Sequence, residues 1–143
     1  MFQQLLLPVD LSDTQHAAKA IQAAAELALS HQARLNVITV LPGFGSPVVA
    51  NYFPKQDLKK VLDEIYARLE KLVEPYIPDE LEVKLRAIEG TPHKEILKEA
   101  KRIKADLIVI PSHNPKAVER FFLGSVAARV VERAKVSVMV IRQ

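Results

Sequence analysis

Hydrophobic positions along this chain switch repeatedly between two periods. Leu5-Leu6-Leu7-Pro8-Val9 is an unbroken apolar run that predicts a strand buried on both faces and ending at Asp10. Ser12-Asp13-Thr14-Gln15 then fits a capping box with Ser12 as the cap, and Ala17, Ile21, Ala24 and Ala28 form a helical stripe of mostly small residues. After the polar break at His31-Gln32, Leu35 to Val40 predicts a second strand. A long connection from Leu41 to Pro54, carrying Phe44, Tyr52 and Phe53, has the length of a lid or binding loop. Leu58, Val61, Leu62, Ile65, Leu69, Leu72 and Val73 keep three-four spacing, predicting a second helix whose stripe is core, stopped by Pro75 and Pro78.

Leu81, Val83, Leu85 and Ala87 alternate with Glu82, Lys84 and Arg86, the period of a strand at the margin of a sheet. Gly90-Thr91-Pro92 supplies a turn, a cap and a proline for the first helical position, and Ile96, Ala100 and Ile103 continue a third helix. Leu107 to Ile110, between Asp106 and Pro111, reads as another strand buried on both faces. Gly124-Ser125 opens a fourth helix with Ala127, Val130, Val131 and Ala134 on its inner face, and Val136 to Ile141 makes a fifth strand. Strands alternating with helices imply right-handed crossovers and an α/β fold: a single domain over residues 1–143, a doubly wound five-stranded parallel sheet in the order 3-2-1-4-5, and helices on both faces. The ligand crevice of such a sheet lies outside the carboxyl ends of the strands where the winding reverses. That brings Pro8-Val9-Asp10 to Ile110-Pro111-Ser112-His113-Asn114.

Composition narrows the function classes. Apolar residues make up 49% of the 143 and charged residues 26%, an ordinary globular balance. The net charge of +3 is the difference between 20 basic and 17 acidic residues scattered along the chain, too weak and too dispersed for a nucleic-acid partner. With no cysteine there is no disulfide, thiolate nucleophile or thiolate-ligated metal. Met1-Phe2 leads into the first strand without a basic start, and no apolar run reaches membrane-spanning length, so the expected location is the cytoplasm, without membrane insertion. His16, His31, His93 and His113 form no helical ligand pair, and only His113 is a site candidate, by position. No Walker-type loop, nucleophile elbow or metal-binding helix pair is present, so the chain is expected not to be an enzyme, beyond slow hydrolysis at most.

The segment from Ala105 to Ser125 carries the chemistry. A buried strand that passes through a polar loop into a helix start aims free N–H groups at one point, and the helix end favours an anion there. In order and spacing, LLLPVD, the ITV of the second strand, ADLIVI, LGSVAARVVERA and VSVMVIR resemble the universal stress proteins over essentially the whole chain. ATP-binding members carry glycine, two residues, glycine, nine residues, then glycine with serine or threonine. Here that frame falls on Pro111, Asn114, Gly124 and Ser125, matching at its last two positions. Pro111 has no N–H to offer a phosphate, Asn114 tolerates left-handed backbone but precedes Pro115, and Ser112, His113, Lys116 and Arg120 are the groups available to compensate.

The resemblance implies a Rossmann-like fold of the adenine nucleotide alpha hydrolase-like type and an ATP site, with Mg2+ accompanying the phosphates. By it, Val9, Val40 and Ile110 enclose adenine beside Pro8, and Thr39 and Val40 present backbone to the base edge. Asp10 meets the ribose or a metal near the phosphates, and Gly124, Ser125 and Val126 hold those phosphates. It also implies a homodimer through Val136, Val138, Val140 and Ile141, since an apolar edge strand calls for a cover. The expected function is a regulatory stress-response module in which adenine nucleotide sets loop state and the binding of a further protein partner. The alternatives are a nucleotide-free dimeric interaction protein and a weak ATPase.

Overall fold

The computed structural model describes residues 1–43, 55–112 and 123–142. Within them β1 (Gln4–Pro8), α1 (Thr14–His31), β2 (Arg34–Leu41), α2 (Lys55–Val73), a 3-10 turn (Glu74–Tyr76), β3 (Val83–Glu89), α3 (Pro92–Arg102), β4 (Leu107–Pro111), α4 (Ser125–Arg133) and β5 (Ser137–Ile141) follow in order. The strands form one parallel sheet in the order β3-β2-β1-β4-β5, as the alternation of periods predicts. Most of the Leu41–Pro54 connection lies outside the described residues, as do His113, Asn114, Lys116 and Arg120.

Period two along the central strands divides the core in two. Leu5, Leu7, Val37 and Val109 face α1 and α2, whereas Leu6, Ile38, Ile108 and Ile110 face α3 and α4. Alanine lets α1 sit close to the sheet: Ala17, Ala20, Ile21, Ala24, Ala25 and Ala28 are all buried. The strand starts are tied by Asp106, whose carboxylate accepts from the backbone N–H groups of Gln3 at 2.8 Å and Gln4 at 3.1 Å. Buried Asn36 is satisfied through Nδ2, which donates to Gln4 Oε1 and to the Leu5 carbonyl, each at 3.1 Å.

Several local expectations are corrected. β1 stops at Pro8, because proline cannot extend the ladder, and Val9 donates once more, to the Ile38 carbonyl at 2.8 Å. The cap of α1 is Asp13 rather than Ser12: the Asp13 side chain accepts from the His16 N–H, while the Ser12 hydroxyl donates to Asp10 Oδ1 at 2.6 Å. Thr91 caps α3 without a side-chain bond. Gly90 before it is required, since its φ of +146° suits glycine alone and an added Cβ would lie 2.7 Å from Glu95 Cγ. The stripe of α2 is core only at its end, where Leu69 and Val73 are buried; Leu58, Val61, Leu62 and Ile65 lie over the sheet margin and are half-buried. Val131 of α4 is 42% exposed, because a nine-residue helix over the last two strands buries only its Ala127–Val130 line.

Candidate functional site

Parallel winding brings the ends of β1, β2 and β4 and the starts of α1, α3 and α4 to the same side of the sheet, and the hollow they leave is about 350 Å³. Each strand contributes the residues with which it leaves the ladder: Pro8, Val9 and Asp10 after β1, Val40 and Pro42 at the end of β2, Ile110 and Pro111 at the end of β4. Each helix contributes its first turn: Ser12, Asp13, His16 and Ala17 from the α1 end, Pro92 and Ile96 from α3, and Gly124 to Ala127 from α4. Val9 and Ile110 are buried and Val40 half-buried, so the inner wall is branched aliphatic. Polar groups gather at the mouth.

The strongest electrostatic feature is the start of α4. Its first intrahelical bond runs from the Ala128 N–H to the Gly124 carbonyl at 2.9 Å, and among the described residues no side chain caps the helix. The N–H groups of Ser125, Val126 and Ala127 therefore precede the ladder and face the hollow's lining with the positive end of the helix dipole behind them. Opposite stands Asp10. Its Oδ1 accepts from the Ser12 N–H at 2.9 Å and from the Ser12 hydroxyl, which holds the carboxylate in an Asx turn at the mouth, exposed to solvent. Asp13 is bonded to the His16 ring through Nδ1 while capping α1. An apolar slot with amides unpaired among the described residues at one end and a fixed carboxylate at the other accommodates a flat ring and an anionic group joined by a hydroxylated spacer.

Of the expected site residues, Pro8, Val9, Asp10, Val40, Ile110, Pro111, Gly124, Ser125 and Val126 line this hollow. Pro111 forms part of its wall as the last residue of β4 and does not fill it. Thr39 and Ser112 are buried and are not among the lining residues. The parity of β2 puts Thr39 on the face of Leu35 and Val37, opposite to Val40, and the Ser112 N–H is committed to the Ile141 carbonyl at 2.9 Å, so that amide is not available to a phosphate. His113 and Asn114 fall outside the described residues. Reading strand ends alone misses Ser12, Asp13, His16, Ala17, Pro42, Pro92, Ile96 and Ala127. Most belong to first turns of helices, and the capping signals at Ser12-Asp13 and Thr91-Pro92 mark those turns in the sequence.

A family model described as the universal stress protein family matches residues 1–142. The chain belongs to the universal stress protein family. A universal stress protein of Methanocaldococcus jannaschii is 32% identical over 146 residues, covering all of this chain and 84% of the relative. Among solved structures, a universal stress protein in complex with cAMP superposes with a TM-score of 0.64 at 23% identity, covering 99% of this chain and 97% of the other. A universal stress protein of Archaeoglobus fulgidus in complex with dAMP gives 0.63 at 23% identity, covering 98% of each chain. At that identity the two structures show that this chain has the universal stress protein fold.

Among the described residues, no three of histidine, cysteine, aspartate and glutamate are grouped to hold a metal, and no helix is long and apolar enough to cross a membrane.

Proposed function

We propose that this universal stress protein is a regulatory module that binds an adenine nucleotide in the hollow between β1, β4 and the start of α4. The observation that carries the reading is the set of amides at Ser125–Ala127, which have no partner among the described residues, set against an aliphatic wall of Val9, Val40 and Ile110. Two proteins of the same fold are solved with adenine mononucleotides, cAMP and dAMP, which supports the same ligand class here. The base lies against the aliphatic wall, Asp10 takes a ribose hydroxyl or water on a phosphate-bound Mg2+, and the α4 amides take a phosphate. Magnesium suits this arrangement, since it is usually held by one or two carboxylates together with substrate phosphates and water. ATP with Mg2+ is the proposed ligand, and its outer phosphates must find their donors elsewhere than at the Pro111 nitrogen and the Ser112 amide.

The role we assign to the nucleotide is to bias a conformational state that a protein partner reads, with turnover slow or absent, in the cytoplasm. The module acts as a homodimer through β5. Within the described sheet β5 pairs only with β4, and Met139 on it and Val131 on α4 are exposed at 39% and 42%, an apolar margin of the kind that proteins cover. Light scattering at micromolar concentration reads twice 16.0 kDa if the margin is shared and 16.0 kDa if it is not.

The experiment that tests the nucleotide reading is a melting curve in ATP with magnesium, AMP and cAMP, on the wild type and on Ser125→Asp. Ser125 is exposed in the first turn of α4, where an aspartate suits the helix dipole and disturbs no core packing, yet repels a phosphate from those amides. At a hundredfold excess over Kd, ligand adds about 2.7 kcal/mol, which raises the wild-type Tm by several degrees. The variant shows no such rise. A wild type whose Tm is unmoved by millimolar nucleotide instead favours a nucleotide-free interaction protein.

A further inference from the structure

We propose that a second anion site, shaped for a phosphate group, lies in the basic cleft between α3 and the β2–β3 margin of the sheet. It is independent of the nucleotide reading and shares no lining residue with the nucleotide hollow. The cleft has a volume of about 300 Å³, and its polar lining includes Gln4, Arg34, Lys84, Arg86, Glu99 and Arg102.

Glu99 is the element that organises it. Its side chain is 2% exposed, and its two oxygens are bonded to Arg86 Nη1 at 2.7 Å and to Arg102 Nε at 2.5 Å. A guanidinium carries five N–H donors in a rigid fork, so a single buried carboxylate fixes both arginines while leaving donors on each for a further oxyanion. The Lys84 side chain makes no hydrogen bond or ion pair among the described residues. Arg34 Nε lies 2.9 Å from Glu82 Oε1 in an ion pair, which leaves the terminal nitrogens of its guanidinium as donors. Gln4, having accepted from Asn36, keeps its amide N–H groups as further donors.

Four cations thus face two carboxylates, a surplus of two positive charges that equals the charge of a phosphate dianion. The carboxyl end of α3 opposes an anion with roughly half an elementary charge, which is smaller than this surplus. Guarding an edge strand with charge explains exposed lysine on β3. It does not call for a buried carboxylate that pins two arginines.

The test is a titration of 15N-labelled protein with inorganic phosphate, and separately with glycerol 3-phosphate, each against sodium chloride at matched ionic strength. The expected result is saturable shifts of the Arg34, Lys84 and Arg86 amides with either phosphate, the tighter of the two identifying a free or an esterified phosphate as the source. Lys84→Gln and Arg34→Gln, neither of which touches Glu99, each weaken binding about threefold, as expected for loss of a partly exposed charge contact. Lys84→Arg retains it. Shifts that never saturate and are matched by chloride overturn the site, as do saturable shifts confined to Ser125–Ala127. Undiminished binding in the Lys84→Gln/Arg34→Gln double variant overturns it as well.

Discussion

The buried carboxylate of Glu99 makes a quantitative prediction about non-additivity. Its side chain is 2% exposed, whereas Arg86 and Arg102, which bond it, are 47% and 59% exposed. Replacing one arginine by alanine removes a charge-assisted bond but leaves the other in place, and the solvent around both reduces the loss to about 1 kcal/mol for each variant. Replacing both leaves a carboxylate in the interior with no directly bonded counter-ion, which costs about 3–5 kcal/mol. The double variant therefore loses about 1–3 kcal/mol more than the singles together. Urea unfolding at neutral pH, followed by circular dichroism over the full cycle, measures this coupling. Adding Glu99→Gln to the double variant recovers most of the loss, because a neutral amide no longer needs a counter-ion. Additivity within about 0.5 kcal/mol would refute the reasoning, since it would mean that water reaches Glu99 once the arginines are gone.

Other consequences follow from single contacts. Asp13→Ala removes the cap of α1 and lowers stability by about 1 kcal/mol, a Tm loss of roughly 3 °C by calorimetry, whereas Ser12→Ala, which loses only an exposed bond to Asp10, lowers it less. Ala24→Leu on the fully buried face of α1 overpacks the contact with the sheet and costs about 1–3 kcal/mol in denaturant unfolding. His93, buried on α3 and accepting from Arg133 Nη1 at 3.2 Å, has its pKa held below 6.5 by burial and then by the charges of Arg129, Arg133 and Lys94. A depressed histidine pKa means that the unfolded chain takes up the proton first, so stability falls as pH drops below about 6.5. His93→Gln flattens that part of the pH profile, and an unchanged slope would exclude His93 as its source.

The order of the sheet was legible in the sequence because each layer imposes its own period. Central strands read as continuous apolar runs at Leu5–Leu7 and Leu107–Ile110, and the margin at β3 reads as alternation. The strand-end half of the site follows from that order, since parallel winding fixes where Asp10 and Ile110 meet. Side-chain competition was less legible. A capping box centred on Ser12 gives way to Asp13 because Asp10, which precedes it, captures the Ser12 hydroxyl. Strand parity turns the Thr39 side chain away from the wall that Val40 forms, a period the sequence already shows. The half-exposed start of α2 and exposed Val131 depend on how far each helix overhangs the sheet, a tertiary quantity with no local signature.

The most direct test is a crystal structure of the protein grown with saturating ATP and magnesium. Adenine is expected against Val9, Val40 and Ile110, with a phosphate within hydrogen-bond reach of the Ser125–Ala127 amides and Asp10 on the ribose or on a metal-bound water. Nucleotide bound on another surface, with the hollow between β1 and β4 left to solvent, would contradict it.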